Sequence, residues 1–249
     1  MINSVRNTVL AILNKNNYGY ISPADFNLYA EQAQLDLFEN YFYDYNYQIN
    51  KENARQSGTG YANIKQQLGE VIDIFTVYKT LVYDAPTLTF TLPTDWYTLL
   101  KIELAPVVSP ATFTNIERVS LNKISKLLMS NLTAPSTTFP AYTLNPATSA
   151  VPQIQTNSVK VYPLSITSDV RLTYIRYPRV PKWTFNPTLV NGQPVFSSTQ
   201  ADYVDFELPS SDQTNIIRKI LEYAGMSIRE IETVDFANQQ FLQSEQAEQ

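Results

Sequence analysis

After Leu208-Pro209-Ser210-Ser211 the apolar residues fall at Ile216, Ile217, Ile220, Leu221, Ala224, Ile228 and Ile231. That spacing is a helical period with an unbroken apolar stripe. A stripe that wide must lie on something, either the chain's own core or another chain. Ser210 or Ser211 stands where an N-cap is expected. The pattern resumes at Val234, Ala237, Phe241 and Leu242, then runs into Gln243-Ser244-Glu245-Gln246-Ala247-Glu248-Gln249.

The other end of the chain is helical too. Ile2, Val5, Val9, Ile12 and Leu13 share one side of a helix over 2–13. A turn is expected at Asn16-Asn17-Tyr18-Gly19. Ser22-Pro23 then opens a second helix, with a Ser cap and Pro in the first helical position. Tyr41, Tyr43, Tyr45 and Tyr47 alternate as a strand would, but Leu35, Phe38, Phe42, Tyr45 and Ile49 carry a helical period through the same run, so helix is preferred. Gln56 to Gly60 reads as a break, and Leu68 to Phe75 is ambiguous between helix and strand.

From residue 76 the chain turns to strands: Tyr78 to Tyr83, Thr87 to Leu92 with Leu88, Phe90 and Leu92 facing in, and Leu99 to Leu104 after a turn at Pro93-Thr94-Asp95-Trp96. A helix over 119–131 would bury Leu121, Ile124, Leu127 and Leu128. Residues 132–152 read as a loop with a short strand at Tyr142 to Leu144. Ser158 to Tyr162 and Asp169 to Tyr177 read as a hairpin, and 178–209, with five prolines, as an extended arm. The expected fold is α+β in three parts: N-terminal helices (1–75), an antiparallel β-rich centre (76–209) and a C-terminal helical segment (210–249).

Chemistry is constrained by what is missing. The 249 residues contain no cysteine and no histidine, which removes disulfides, thiolate metal sites, Cys nucleophiles and every His-based acid–base device. The expectation is no enzyme, no catalytic residue, no metal and no cofactor. A net charge of −5 argues against gripping a phosphate backbone. No apolar run is long enough for a membrane span. Val9 to Leu13 is too short for a signal peptide, so retention where the protein is made is expected.

Four motifs each have a plainer explanation. Ser120-Leu121-Asn122-Lys123 matches Ser-x-x-Lys, but its companion elements are missing and a capped helix accounts for it. Asp202, Asp205 and Glu207 lie close together, and paired carboxylates can hydrolyse a glycosidic bond; acidic residues on a solvated arm are the ordinary explanation. Arg171, Arg176, Arg179 and Lys182, interleaved with Tyr174, Tyr177 and Trp183, suggest a nucleic-acid strip, yet 171 and 176 fall on opposite strand faces. Gly58-Thr59-Gly60 lacks the third glycine of a dinucleotide loop.

Three blocks, in this order, resemble the head–tail connector (adaptor ring) proteins of podovirus-like tailed phages, in particular those of crAss-like phages. They are Leu92-Pro93-Thr94-Asp95-Trp96 with Leu99 to Leu104; Val159-Lys160-Val161-Tyr162-Pro163 with Arg171 to Pro178; and Phe206-Glu207-Leu208-Pro209-Ser210 with Ile216 to Arg229. The helix opened by Ile21 to Phe26 fits as well. The resemblance implies a structural virion protein at the portal–tail junction, made in the host cytoplasm. Its subunits would form a homo-oligomeric ring, typically a dodecamer, that joins the portal to neighbouring tail proteins and continues the DNA channel without sequence-specific binding. Interface residues would be Ile216, Ile217, Ile220, Leu221, Ile228, Ile231, Phe241 and Leu242, with Tyr174 and Trp183. The rival is a carbohydrate-binding or glycan-hydrolysing module using Tyr41 to Tyr47 or the Asp205/Glu207 pair.

Overall fold

The computed structural model describes residues 1–14, 21–55, 64–105, 113–145, 158–190 and 193–228. The expected turn at Asn16 to Gly19, the break at Gln56 to Gly60, the loop beyond Asn145 and everything past Ile228 lie outside them. The fold is α+β, as expected, and the chain divides into two units: residues 1–72 with 178–249, and residues 73–177. The terminal helical parts therefore belong together, with the β-rich stretch inserted between them. Its second boundary lies at Tyr177 rather than 209. No described helix is long and apolar enough to cross a membrane.

The first unit holds α1 (Ile2–Asn14), α2 (Pro23–Arg55), α3 (Ile64–Asp73, ending at the unit boundary) and α5 (Gln213–Ile228). Helix α2 starts as its sequence dictates: Ser22 Oγ accepts the Asp25 amide at 3.1 Å and donates to the Asp25 carboxylate at 2.6 Å, with Pro23 following. Helix α5 starts differently. A 3-10 turn over Ser210–Asp212 leads into it, and neither serine supplies a side-chain cap. Ile2, Val5 and Val9 of α1, Phe26, Ala30, Ala33, Leu37 and Phe38 of α2, and Ile216, Ile220 and Ala224 of α5 are all buried. Helix α5 packs on both α1 and α2. Burying each such Ile contributes about 1.5–3 kcal/mol. The Tyr-rich run is helical, but past Phe38 helix α2 outruns this core: Tyr43 is 72% and Tyr47 46% exposed.

The expected extended arm is part of this unit. It carries a hairpin, β10 (Phe185–Val190) with β11 (Gln193–Phe196), and buries Trp183, Phe206 and Leu208. Its prolines stop it joining a larger sheet, but its apolar side chains still need cover, and the helices provide it.

The second unit is a two-sheet sandwich. One sheet runs in the order β1 (Thr76–Thr80), β9 (Val170–Arg176), β4 (Trp96–Leu104), β5 (Thr114–Asn115). The other runs β2 (Val82–Asp84), β3 (Thr89–Thr91), β8 (Ser158–Tyr162), β7 (Ala141–Asn145), β6 (Glu117–Arg118). All pairs are antiparallel except β6 with β7, which is parallel. Phe90, Leu92, Ile102, Val159, Val161, Val170, Leu172 and Tyr174 meet in one apolar core between the sheets.

Three expectations fail in this unit. Strands β8 and β9 are not a hairpin: β8 pairs with β3 and β7, β9 with β1 and β4, so the chain crosses between sheets at 163–169. Alternation alone cannot say which sheet a strand joins. Leu88 does not face in. It has φ 55° and is 40% exposed, because the turn after Asp84 puts it in the left-handed region. Finally, the helix expected over 119–131 is only α4 (Leu121–Leu127), with Ile124 its single buried residue. Two turns offer one contact point, not a stripe.

Candidate functional site

Amides and carboxylates fix the 178–209 segment onto the helices of the first unit. Gln34, fully buried on α2, donates Nε2 to the Arg179 carbonyl at 2.8 Å and accepts the Glu207 amide on Oε1 at 3.1 Å. One turn-pair earlier, Asn27 accepts the Trp183 amide at 2.8 Å and donates to its carbonyl at 3.2 Å. The Trp183 indole N–H donates to Asn3 at 3.1 Å, and the Arg6 guanidinium lies 3.9 Å over the ring. Phe185 and Phe196 stack against the same indole, each at 5.9 Å. Asn27 and Gln34 are seven apart, hence on one helix face. Two amides inside an apolar stripe are the signal that would have exposed this clamp in the sequence.

The three carboxylates Asp202, Asp205 and Glu207 all have partners. Asp205 takes the Met1 ammonium at 2.6 Å and the Ile2 amide at 2.7 Å, at the start of α1. Burial raises the Asp205 pKa, but the ammonium and the amides of Ile2 and Phe206 outweigh it and hold the carboxyl below its usual range. Glu207 binds the Arg179 side chain at 2.7 Å and its amide at 2.9 Å. Asp202 pairs with Lys182 at 2.7 Å. Each carboxylate is thus paired within the helical unit.

The basic strip is divided in the same way. Arg171 of β9 pairs with Glu103 at 2.7 Å and lies 4.4 Å over the Phe113 ring, Arg179 is held by Glu207, and Lys182 by Asp202. Arg171 and Arg176 belong to one unit, Arg179 and Lys182 to the other. Beside the Lys182–Asp202 pair is an open cavity of about 310 Å³, lined by Pro23, Asn27, Trp183, Phe185 and Gln200 among others. Its ion pair is internally neutralised. No group of three or more potential metal ligands lies together among the described residues. Ser120 caps α4, accepting the Lys123 amide at 3.4 Å, as its plainer explanation required.

The interface residues expected from the sequence fall in two classes. Ile216, Ile220, Leu221, Tyr174 and Trp183 are buried within this one chain, and Ile217 is half-buried. The α5 stripe is thus covered by α1 and α2, which corrects the expectation that its Ile216/Ile220 face is free for a neighbour. Of Ile228 only the backbone position at the end of α5 is described; Ile231, Phe241 and Leu242 lie outside the described residues.

Large apolar side chains are exposed elsewhere, and sequence reasoning missed one run of them. On α4 and the turns after it, Leu128 is 49%, Phe139 79%, Met129 84% and Leu132 93% exposed. The segment is held in shape: the Thr133 hydroxyl donates to the Leu127 carbonyl at 2.9 Å, and Ser136 and Phe139 close a turn with two mutual hydrogen bonds. Several exposed large apolar side chains within one short segment are a feature of interaction sites. Compared with known proteins, the chain matches no family model and no curated protein.

Proposed function

We propose that this protein is the subunit of a structural ring at the portal–tail junction of a tailed phage, joining the portal to the tail and continuing the DNA channel. The observation that carries this reading is the held, solvent-facing apolar segment at Leu128, Met129, Leu132 and Phe139. Four large apolar side chains in twelve residues, on a chain that is only 16% charged, suit a subunit that is covered in an assembly. The order of the sequence blocks around Leu92–Trp96, Val159–Pro163 and Phe206–Ser210 supports it, through their resemblance to adaptor-ring proteins. A net charge of −5 fits a channel in which DNA slides, because unneutralised phosphates are not held.

Attachment then does not run through the α5 stripe, which the subunit uses for itself. The glycan reading loses its carboxylates to the Met1 and Arg179 pairs and keeps only the exposed Tyr43 and Tyr47.

Mass photometry of the purified protein, alone and with the portal ring encoded by the same genome, tests the proposal. The expected result is a discrete added mass equal to one subunit per portal subunit. A protein that stays monomeric and leaves the portal mass unchanged overturns portal docking, and a glycan-binding screen with Tyr43→Ala then tests the rival.

A further inference from the structure

We infer that the exposed segment of the sandwich unit receives the acidic C-terminal stretch, residues 230–249, of a second copy of this chain, so that each copy gives a tail and takes one. The inference rests on the ring reading and names its contact. From Arg118 to Ser168 the sequence has four cations, Arg118, Lys123, Lys126 and Lys160, and no carboxylate. Lys123 and Lys126 stand on α4 beside Leu128 and Met129; Lys123 has only a 4.0 Å contact with an exposed Glu117. Beyond Arg229 the balance is reversed: five carboxylates, at Glu230, Glu232, Asp235, Glu245 and Glu248, and no cation. The same stretch carries Ile231, Val234, Phe241 and Leu242.

An apolar surface flanked by lysines and an apolar sequence flanked by carboxylates match in both hydrophobicity and charge sign. Charge complementarity of this kind selects the partner and its orientation. Because the donor stretch and the acceptor segment are different parts of the chain, the contact can pass head-to-tail from copy to copy, the kind that closes into a ring.

Sedimentation velocity on two complementary variants decides the matter. One is the full chain with Leu132→Asp and Phe139→Asp, which keeps its tail but loses its acceptor. The other stops after Arg229, keeping the acceptor and losing the donor. The parent chain is expected to self-associate with concentration, less so as salt rises from about 0.05 to 0.5 M. Each variant alone should associate at least ten-fold more weakly. Their equimolar mixture should form a one-to-one dimer and stop there. Both substituted positions are exposed, so circular dichroism should match the parent; Lys123→Glu with Lys126→Glu serves as a second acceptor variant that leaves the apolar side chains in place.

Variants that assemble like the parent overturn the tail contact and leave the ring reading standing. So does a mixture that remains monomeric while the parent assembles, and so does a parent that stays monomeric while the mixture pairs, which is the result if each tail folds back on its own copy. A parent that neither self-associates nor docks on the portal overturns both.

Discussion

The two units reach a closed core by opposite routes. The sandwich is one continuous stretch, residues 73–177, whose strands put Phe90, Ile102, Val159, Leu172 and their neighbours into a shared apolar layer. Its buried carboxylate, Glu103, receives Arg171 and Lys101. The helical unit is assembled from stretches more than a hundred residues apart, and their apolar faces alone do not fix how the 178–209 segment lies on α2. Side-chain amides do that, with buried Gln34 and half-buried Asn27 gripping main chain at Arg179, Trp183 and Glu207. Hydrophobic burial supplies most of the energy in both units, since it scales with area and ignores direction. Directional hydrogen bonds supply registration where chain continuity does not.

A charge in the helical core gives the largest expected effect and the most direct way to break the comparison. Ile220→Asp would put a carboxylate at a position that is 0% exposed, at a cost of about 4 kcal/mol or more. The expected calorimetric trace loses the helical unit's transition and keeps the sandwich's. If both disappear together, the units fold as one and the contrast is wrong. For the same reason a chain cut before Asp212 should lose its helical core, not merely an attachment point.

Gln34→Leu comes next. It leaves the Arg179 carbonyl and the Glu207 amide without their side-chain partner, costing about 1–3 kcal/mol. Leu132→Ser on the sandwich surface should stay within about 0.5 kcal/mol. Denaturant titrations of the two variants sharpen the contrast; equal losses would remove the special role given to the amide clamp.

Glu103→Gln tests the polar contact of the sandwich by its pH dependence. Hydrogen bonds from Lys101 and Arg171 hold the Glu103 carboxyl below its usual range, against the opposing effect of burial. A depressed folded-state pKa stabilises fully above the unfolded value, about 4.3, and that stability is lost as pH falls through the folded value. Melting temperature followed from pH 7 downward should therefore fall below about pH 4.3 in the parent. Glu103→Gln should start lower at neutral pH, by about 1–2 kcal/mol, and show a shallower acid limb. An unchanged acid limb would mean that the ion pair adds nothing to the sandwich.

A small effect of the opposite sign is expected at Leu88. Its φ of 55° is costly for a side chain of that size, and Asn tolerates it better. Leu88→Asn should raise stability by up to about 1 kcal/mol, visible as a small rise in the melting temperature of the sandwich alone.

Helix α2 was legible from its first residues, because Ser22 and Pro23 form a start signal at adjacent positions. Strands β7 to β9 were legible as strands, since alternation is a property of the strand itself. Their partners were not: the turn at 163–169 reads the same whether it closes a hairpin or crosses between sheets. The exposed segment was misread for a related reason. Leu121, Leu127 and Leu128 keep a helical spacing, but spacing says which residues share a face, not whether anything lies against it.

The sequence by itself determined the local periods, the starts of α2 and α4, the α+β class and the exclusion of thiol and imidazole chemistry. Each of these depends on residue identity or on neighbours a few positions away. Tertiary structure alone decided that the α5 stripe is covered by α1 and α2, that the proline-rich segment is clamped rather than free, and that a run of apolar side chains beside α4 is left open. Those outcomes depend on which surfaces, distant along the chain, find each other first to exclude water, and hydrophobic burial is non-directional and leaves no local mark of its partner.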